Sequence, residues 1–221
     1  MLRRVGRLHV LTDATLQARY GHEELARLAI AGGADTIQFR EKLASTREQI
    51  RIARTLAEAC RRAGVALIVN DRIDVALAAD AAGVHLGQED FPIALARRLL
   101  GPDRIIGASA ATAAEAEEAM WAGADYVGCG AVYATASKAD AGPPLGPGAL
   151  REIAGRLEIP VIAIGGIGLA QVPEVIAAGA HGVAVIQAVA LASDPQAATA
   201  SLRAAIDAAT NAATGKAGRN G

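Results

Sequence analysis

Ala31-Gly32-Gly33-Ala34-Asp35-Thr36-Ile37-Gln38-Phe39-Arg40-Glu41-Lys42 runs from an Ala-rich helical segment, through a glycine stop, into a strand with a charged tip. Glycine fits the left-handed backbone that ends a helix. Beyond it, apolar Ile37 and Phe39 alternate with polar Thr36 and Gln38, which is the period of a strand. If the strand persists to its charged end, Gln38, Arg40 and Lys42 project on one face. An amide and two cations there make a poor core and a good anion site. A solvated strand end is the alternative.

The phrase recurs as Ala81-Ala82-Gly83-Val84-His85-Leu86, Ala122-Gly123-Ala124-Asp125-Tyr126-Val127 and Ala178-Gly179-Ala180-His181-Gly182-Val183. Each reads as helix, glycine stop, strand. Strands are predicted at Leu8–Thr12, Thr36–Phe39, Ala66–Asn70, Val84–Leu86, Ile105–Gly107, Tyr126–Gly130, Val161–Ile164 and Gly182–Ile186. Apolar stripes mark helices between them: Leu25, Leu28 and Ala29; Ile50, Ala53, Ala57 and Cys60; Ala116, Ala119 and Met120; Val172, Val175 and Ile176. The strands are short, apolar and rich in β-branched residues, as in a parallel sheet covered on both faces. Eight alternating units in about 200 residues fit a single closed (β/α)8 TIM barrel of the α/β class. An open doubly wound sheet is the alternative, but no Gly-x-Gly-x-x-Gly follows the first strand. The barrel is expected to occupy residues 1–207. From Ala208 the apolar period is lost, and residues 208–221 are expected to be a disordered tail.

Composition sets limits. The 221 residues are 52% hydrophobic, much of it Ala, and 3% aromatic, which predicts tightly packed small-residue helices. Lys and Arg number 22 against 23 Asp and Glu, so no global field draws nucleic acid and any anion binding must be local. Cys60 and Cys129 lack metal spacing and read as buried thiols of a reducing compartment. The N-terminus has no apolar signal core, and no apolar run is long enough to span a bilayer. The expectation is a cytoplasmic protein with neither a nucleic-acid nor a membrane partner; a homo-oligomer is compatible with the sequence.

In such barrels function sits at the C-terminal strand ends. Those tips read Thr12-Asp13; Gln38, Arg40 and Lys42; Asn70-Asp71-Arg72; His85-Leu86-Gly87-Gln88-Glu89-Asp90; Gly107-Ala108-Ser109; Ala131-Val132-Tyr133-Ala134-Thr135-Ala136-Ser137-Lys138; Gly165-Gly166-Ile167-Gly168; and Ile186-Gln187. Asp71 and Asp90 close neighbouring strands, and two hard carboxylates with cations opposite suit Mg²⁺ shared with a phosphorylated ligand. Helix N-caps are their alternative roles. The Gly165–Gly168 run offers backbone N–H groups to a phosphate; otherwise it is a tight turn. Ala134–Gly148, with three prolines, is too long for a simple loop and is expected to be a mobile lid with Thr135, Ser137 and Lys138 at its root. Lys138 could close over a phosphate; an ordinary solvated lysine is its alternative role. His85 reads as a packing residue or a site residue, and His9, His22, His181 and Trp121 carry no signal.

These tips, in this order, resemble the thiamine phosphate synthase family from Leu8 to about Leu191. The resemblance rests on Gln38-Phe39-Arg40-Glu41-Lys42, Asn70-Asp71-Arg72, His85 to Asp90, Gly107-Ala108-Ser109, Thr135-Ala136-Ser137-Lys138 and Ile164-Gly165-Gly166-Ile167. It implies a transferase that joins hydroxymethylpyrimidine pyrophosphate to hydroxyethylthiazole phosphate, or its carboxylated form, releasing pyrophosphate. It implies Mg²⁺ on Asp71 and Asp90. Gln38, Arg40, Lys42, Asn70 and Lys138 are then expected at the pyrimidine pyrophosphate, and Ser109 near the pyrimidine. Thr135, Ser137, Gly166, Ile186 and Gln187 are expected around the thiazole phosphate. Arg40, Lys42, Lys138 and Ser109 are the expected catalytic contacts. The sequence departs from the family pattern at Ala134, where Pro is usual, at Ser137, where Thr is usual, and at Gln187, where Ser is usual. Thiazole tautomerases resemble the chain less closely, since they generally lack the paired aspartates. A phosphate-binding barrel without activity is the third reading.

Overall fold

The structure, a computed structural model, describes residues 5–17, 19–137 and 142–217. Eight strands close into a barrel in chain order, every neighbouring pair parallel. They are β1 (Leu8–Asp13), β2 (Thr36–Arg40), β3 (Ala66–Asn70), β4 (Gly83–Leu86), β5 (Ile105–Ala110), β6 (Tyr126–Cys129), β7 (Val161–Ile164) and β8 (Gly182–Val185). The helices between them are α1 (His22–Ala31), α2 (Thr46–Ala63), α3 (Ile73–Ala79), α4 (Ile93–Leu100), α5 (Ala113–Trp121), α6 (Gly146–Arg156), α7 (Val172–Ala177) and α8 (Gln187–Ala190), and α9 (Pro195–Ala217) follows. The (β/α)8 barrel expected from the sequence is therefore the observed fold, and the open sheet is excluded by the β1–β8 pairing.

Alternation divides the strand residues between two cores. Val10, Ile37, Phe39, Val69, Val84 and Ile106 face outward and pack with helix residues such as Leu25, Leu56 and Ala76. Leu11, Ile68, Ile105, Tyr126, Ile162, Ala184 and Ile186 fill the barrel interior. Strand period thus divides branched and other apolar residues between the helix-facing layer and the barrel interior. Cys60 and Cys129 are buried free thiols, as expected.

The repeated phrase has two structural meanings. Gly33, Gly123 and Gly179 adopt φ near +100°, at +95°, +100° and +101°, just past α1, α5 and α7. The second copy differs from expectation. There α3 ends on Asp80 in left-handed backbone, and Gly83 opens β4, where a Cβ would lie 2.0 Å from the Ile105 carbonyl oxygen. Aspartate tolerates that conformation, so the glycine is free to serve close strand approach. The aspartates of the phrase are stitches: Asp35 accepts the Leu8 N–H at 2.9 Å, and Asp125 accepts the Ile106 N–H at 2.8 Å. Each carboxylate ties the base of one strand to the neighbouring one.

The tail expectation for residues 208–221 is corrected as far as Ala217, and residues 218–221 lie outside the described residues. Helix α9 continues through Ala217 instead of fraying at Ala208. Its residues Leu202 and Ile206 are buried, and Arg7 donates to Thr210 Oγ1 at 2.6 Å. Alanine carries little side-chain entropy into a helix, so loss of apolar period did not mean loss of helix. Among the described residues no helix is long and apolar enough to cross a membrane.

Candidate active site

The C-terminal strand ends open into a cavity of about 660 Å³. Gln38, Asn70 and Ser109 line it from β2, β3 and β5. Thr135, Ser137, Gly166, Ile186 and Gln187 line it from the segments after β6, β7 and β8. The barrel order puts these two sets on different arcs of one mouth.

The first arc is strongly cross-linked. Gln38 Nε2 donates to Asn70 Oδ1 at 2.5 Å. His85 joins Ser109 Oγ through Nε2 and the Tyr126 hydroxyl through Nδ1, both at 3.0 Å. Burial pushes the Tyr126 hydroxyl well above the ordinary tyrosine range, with Asp125 adding to it, so Tyr126 keeps its proton. Glycines make room for this row: a Cβ on Gly107 would lie 2.1 Å from Tyr126 Cζ, and one on Gly128 2.9 Å from His85 Cε1. His85 is thus a wall residue bonded to Ser109, and His9 and Tyr126 line the cavity with it. Sequence reasoning left His9 and Tyr126 out. The available signal was strand period, which places His9 with Leu11 and Asp13, and Tyr126 with Gly128, on inward faces.

Beside the cavity stand the charged groups. Arg40 is paired through Nη1 with Asp13 Oδ2, and both are largely buried. Lys42 Nζ lies 2.5 Å from Asp71 Oδ2. Beneath Lys42, Glu41 accepts the N–H groups of Leu43 and Ala44 and contacts His22 Nε2 at 3.0 Å, while His22 Nδ1 meets Thr12 Oγ1 at 2.8 Å. The β1 end therefore braces the β2 end.

Asp71 and Asp90 line a separate cleft of about 520 Å³ next to the cavity. Neither caps a helix: Arg72 precedes α3 and Pro92 precedes α4, without side-chain caps. Asp71 sits at φ +63°, a conformation uncommon for a residue with a side chain. Asp90 accepts the Gly87 N–H at 2.7 Å. Burial opposes ionisation of Asp71, but the Lys42 ammonium and the hydrogen bond with Asp90 outweigh it and hold its pKa below the usual range. Burial, only partly offset by the Gly87 N–H, combines with the Asp71 carboxylate to push Asp90 up. Two carboxyls that resist ionising together are a fitting pair of hard oxygen donors for a divalent cation. Among the described residues no group of three or more His, Cys, Asp or Glu could hold a metal. A small cation such as Mg²⁺ fits that arrangement, since it takes one or two carboxylates and completes its shell with water and ligand phosphate.

The second arc is a backbone surface. Gly165 and Gly166 have φ of +96° and +66°, and a Cβ on Gly166 would lie 2.5 Å from the Ala134 carbonyl oxygen. Val132 and Tyr133 donate N–H groups to the carbonyls of Ile164 and Gly165 at 2.9 and 3.0 Å, fixing the root of the segment after β6. Tyr133 also donates to Glu174 at 2.5 Å. Gln171 Oε1 takes the Gly168 N–H at 3.1 Å. Gln187 is the first residue of α8, directly after Ile186. Of the segment Ala134–Gly148, expected to be a mobile lid, α6 takes the far end from Gly146, and residues 138–141 lie outside the described residues. Lys138 falls outside the described residues.

Comparison with known proteins gives the same family. The family model for thiamine monophosphate synthase matches residues 8–189. A thiamine-phosphate synthase of Salinibacter ruber is 53% identical over 92% of this chain and 89% of its own length. One from Methanocella arvoryzae is 52% identical over 90% of this chain and 94% of its own. The solved thiamine phosphate pyrophosphorylase of Pyrococcus furiosus superposes with a TM-score of 0.85 at 44% identity, covering 92% of this chain and 96% of that one. The chain belongs to the thiamine monophosphate synthase family.

Proposed function

We propose that the protein joins hydroxymethylpyrimidine pyrophosphate to a thiazole phosphate, plain or carboxylated, making thiamine phosphate and releasing pyrophosphate and, from the carboxylated form, carbon dioxide as well. One observation carries the reading beyond family membership. The cavity is lined by Gln38, Asn70 and Ser109 on one arc and by Thr135, Ser137, Gly166, Ile186 and Gln187 on another, and Arg40, Lys42, Asp71 and Asp90 stand beside it. Such a site holds two polar substrates edge to edge with charge-stabilising groups at one end.

In this reading the linked amides of Gln38 and Asn70 present a fixed donor and acceptor pattern to the aminopyrimidine. In the tautomer where Tyr126 donates to His85 Nδ1, the His85 Nε2 hydrogen is directed at Ser109 Oγ and the Ser109 hydroxyl hydrogen is left to meet a ring nitrogen. The pyrophosphate leaves from the exocyclic methylene, whose positive charge the electron-rich ring supports. Arg40 meets the departing oxygens with a fork, and Lys42 with a point charge. Asp71 and Asp90 would hold Mg²⁺, which when bound supplies charge neutralisation at the pyrophosphate. The glycine backbone after β7 and the hydroxyls of Thr135 and Ser137 hold the thiazole phosphate so that its ring nitrogen faces the methylene carbon. The work is electrostatic preorganisation and positioning, with no strong general base required.

A tautomerase of the same fold needs an acid–base group beside the thiazole. Ala131, in the corresponding segment after β6, is buried and transfers no proton. The experiment is to supply both substrates and Mg²⁺ and to measure thiamine phosphate and pyrophosphate together; the synthase reading predicts equal amounts of the two.

A further inference from the structure

Asp13 ends β1 directly opposite Arg40 of β2 in the strand register. It is 1% exposed. Its Oδ1 accepts the Thr15 N–H at 2.9 Å and the Thr15 hydroxyl at 2.6 Å, and its own N–H donates to Gln17 Oε1 at 2.9 Å. Its Oδ2 receives Arg40 Nη1. Two hydrogen bonds from Thr15 therefore hold the carboxylate at Oδ1, and the Gln17 contact holds its backbone, before Oδ2 meets the guanidinium. Among the described residues no other acceptor holds Arg40, so its Nη2 and Nε donors stay available on the rigid fork.

A buried ion pair is weak as a stabilising device, because desolvation of both charges offsets most of their attraction. This pair stands at the catalytic mouth, where a guanidinium free to swing over several rotamers would lose the geometry a bidentate contact needs. We propose that Asp13 is a positioning residue: it fixes the Arg40 fork for the pyrophosphate of the pyrimidine substrate and touches neither substrate itself. This rests on the synthase reading above.

The test is a double-mutant cycle with separate constants for the two substrates. Asp13→Asn, nearly the same shape without the charge, is expected to lower kcat/KM for the pyrimidine pyrophosphate by roughly 10- to 100-fold, the scale of a misplaced catalytic group. KM for the thiazole phosphate should move less than about 2-fold, since those contacts lie on the other arc. In an Arg40→Ala background the same substitution should cost less than about 2-fold, because nothing remains to be positioned. Added guanidinium should restore turnover to Arg40→Ala and not to Arg40→Ala/Asp13→Asn. If Asp13→Asn does not melt cooperatively, Thr15→Val removes one hydrogen bond to Asp13 and should give a smaller loss in the same constant. Wild-type constants in folded Asp13→Asn, an equal rise in both KM values, losses that multiply fully, or rescue that ignores Asp13 overturn the role of Asp13 while the synthase reading stands. No thiamine phosphate from the unsubstituted enzyme overturns both.

Discussion

The Lys42 ammonium lies 2.5 Å from Oδ2 of Asp71, so a cation and a proposed metal ligand share one contact at the barrel mouth. A bound divalent ion must compete with that lysine for the carboxylate. Turnover is expected to require Mg²⁺ or Mn²⁺ and to stop in excess chelator. Asp71→Asn should raise the Mg²⁺ concentration for half-maximal rate by at least about 10-fold, the scale seen when support for a metal ligand is removed. The check is a Mg²⁺ titration of both proteins. Full turnover in chelator contradicts the metal assignment.

Gly166 carries a second expectation. Its φ of +66° and the 2.5 Å approach that a Cβ would make to the Ala134 carbonyl leave no room for a side chain. Gly166→Ala should cost about 1–2 kcal/mol of stability through left-handed strain alone. Because the loop must shift to admit the methyl, KM for the thiazole phosphate should rise by about 10-fold or more, with a smaller change for the pyrimidine pyrophosphate. Urea melts and substrate titrations measure both effects. Unchanged thiazole phosphate binding would remove this loop from the phosphate site.

His9 gives a pH dependence with a definite sign. Burial foremost lowers its pKa from 6.5 to about 4, against opposing contributions from Asp35 and the Gly6 carbonyl. Unfolded chain therefore binds a proton in this window that folded chain does not, and stability falls as pH drops from 6.5 towards 4. Across that window the loss is roughly 3 kcal/mol, at 1.36 kcal/mol per pH unit of displacement. His9→Asn should flatten that part of the stability profile. Denaturant unfolding at pH 7.5 and 4.5 for both proteins decides it; parallel profiles contradict the assignment to His9.

Much of the fold was legible because alternation and glycine stops are local signals. Ala66–Asn70 and Val161–Ile164 were bounded as they are observed, and the other strands within a few residues at each end. Helix α9 was misread past Ala208 because its buried Leu202 and Ile206 give way to alanines that keep a helix without an apolar stripe. In the site, residues at strand tips were legible once the barrel was assumed. Asp13 was legible as a tip but its role was not, since its partner Arg40 lies 27 positions away and only the β1–β2 register brings them together. Tyr126 and His85 were missed or undervalued for a similar reason. Their link to Ser109 depends on Gly107 and Gly128 leaving space inside the barrel, which no local pattern announces.

The chemical step is tested most directly by product analysis in two parallel reactions. One holds the enzyme, Mg²⁺, hydroxymethylpyrimidine pyrophosphate and the aromatic thiazole phosphate; the other holds the enzyme and the carboxylated thiazole phosphate tautomer alone. The account predicts thiamine phosphate and pyrophosphate in equal amounts in the first and no enzyme-dependent tautomer conversion in the second, because Ala131 supplies no proton while Arg40, Lys42 and the Asp71–Asp90 pair are proposed to stabilise a leaving pyrophosphate. Rapid tautomer conversion with no thiamine phosphate would contradict it.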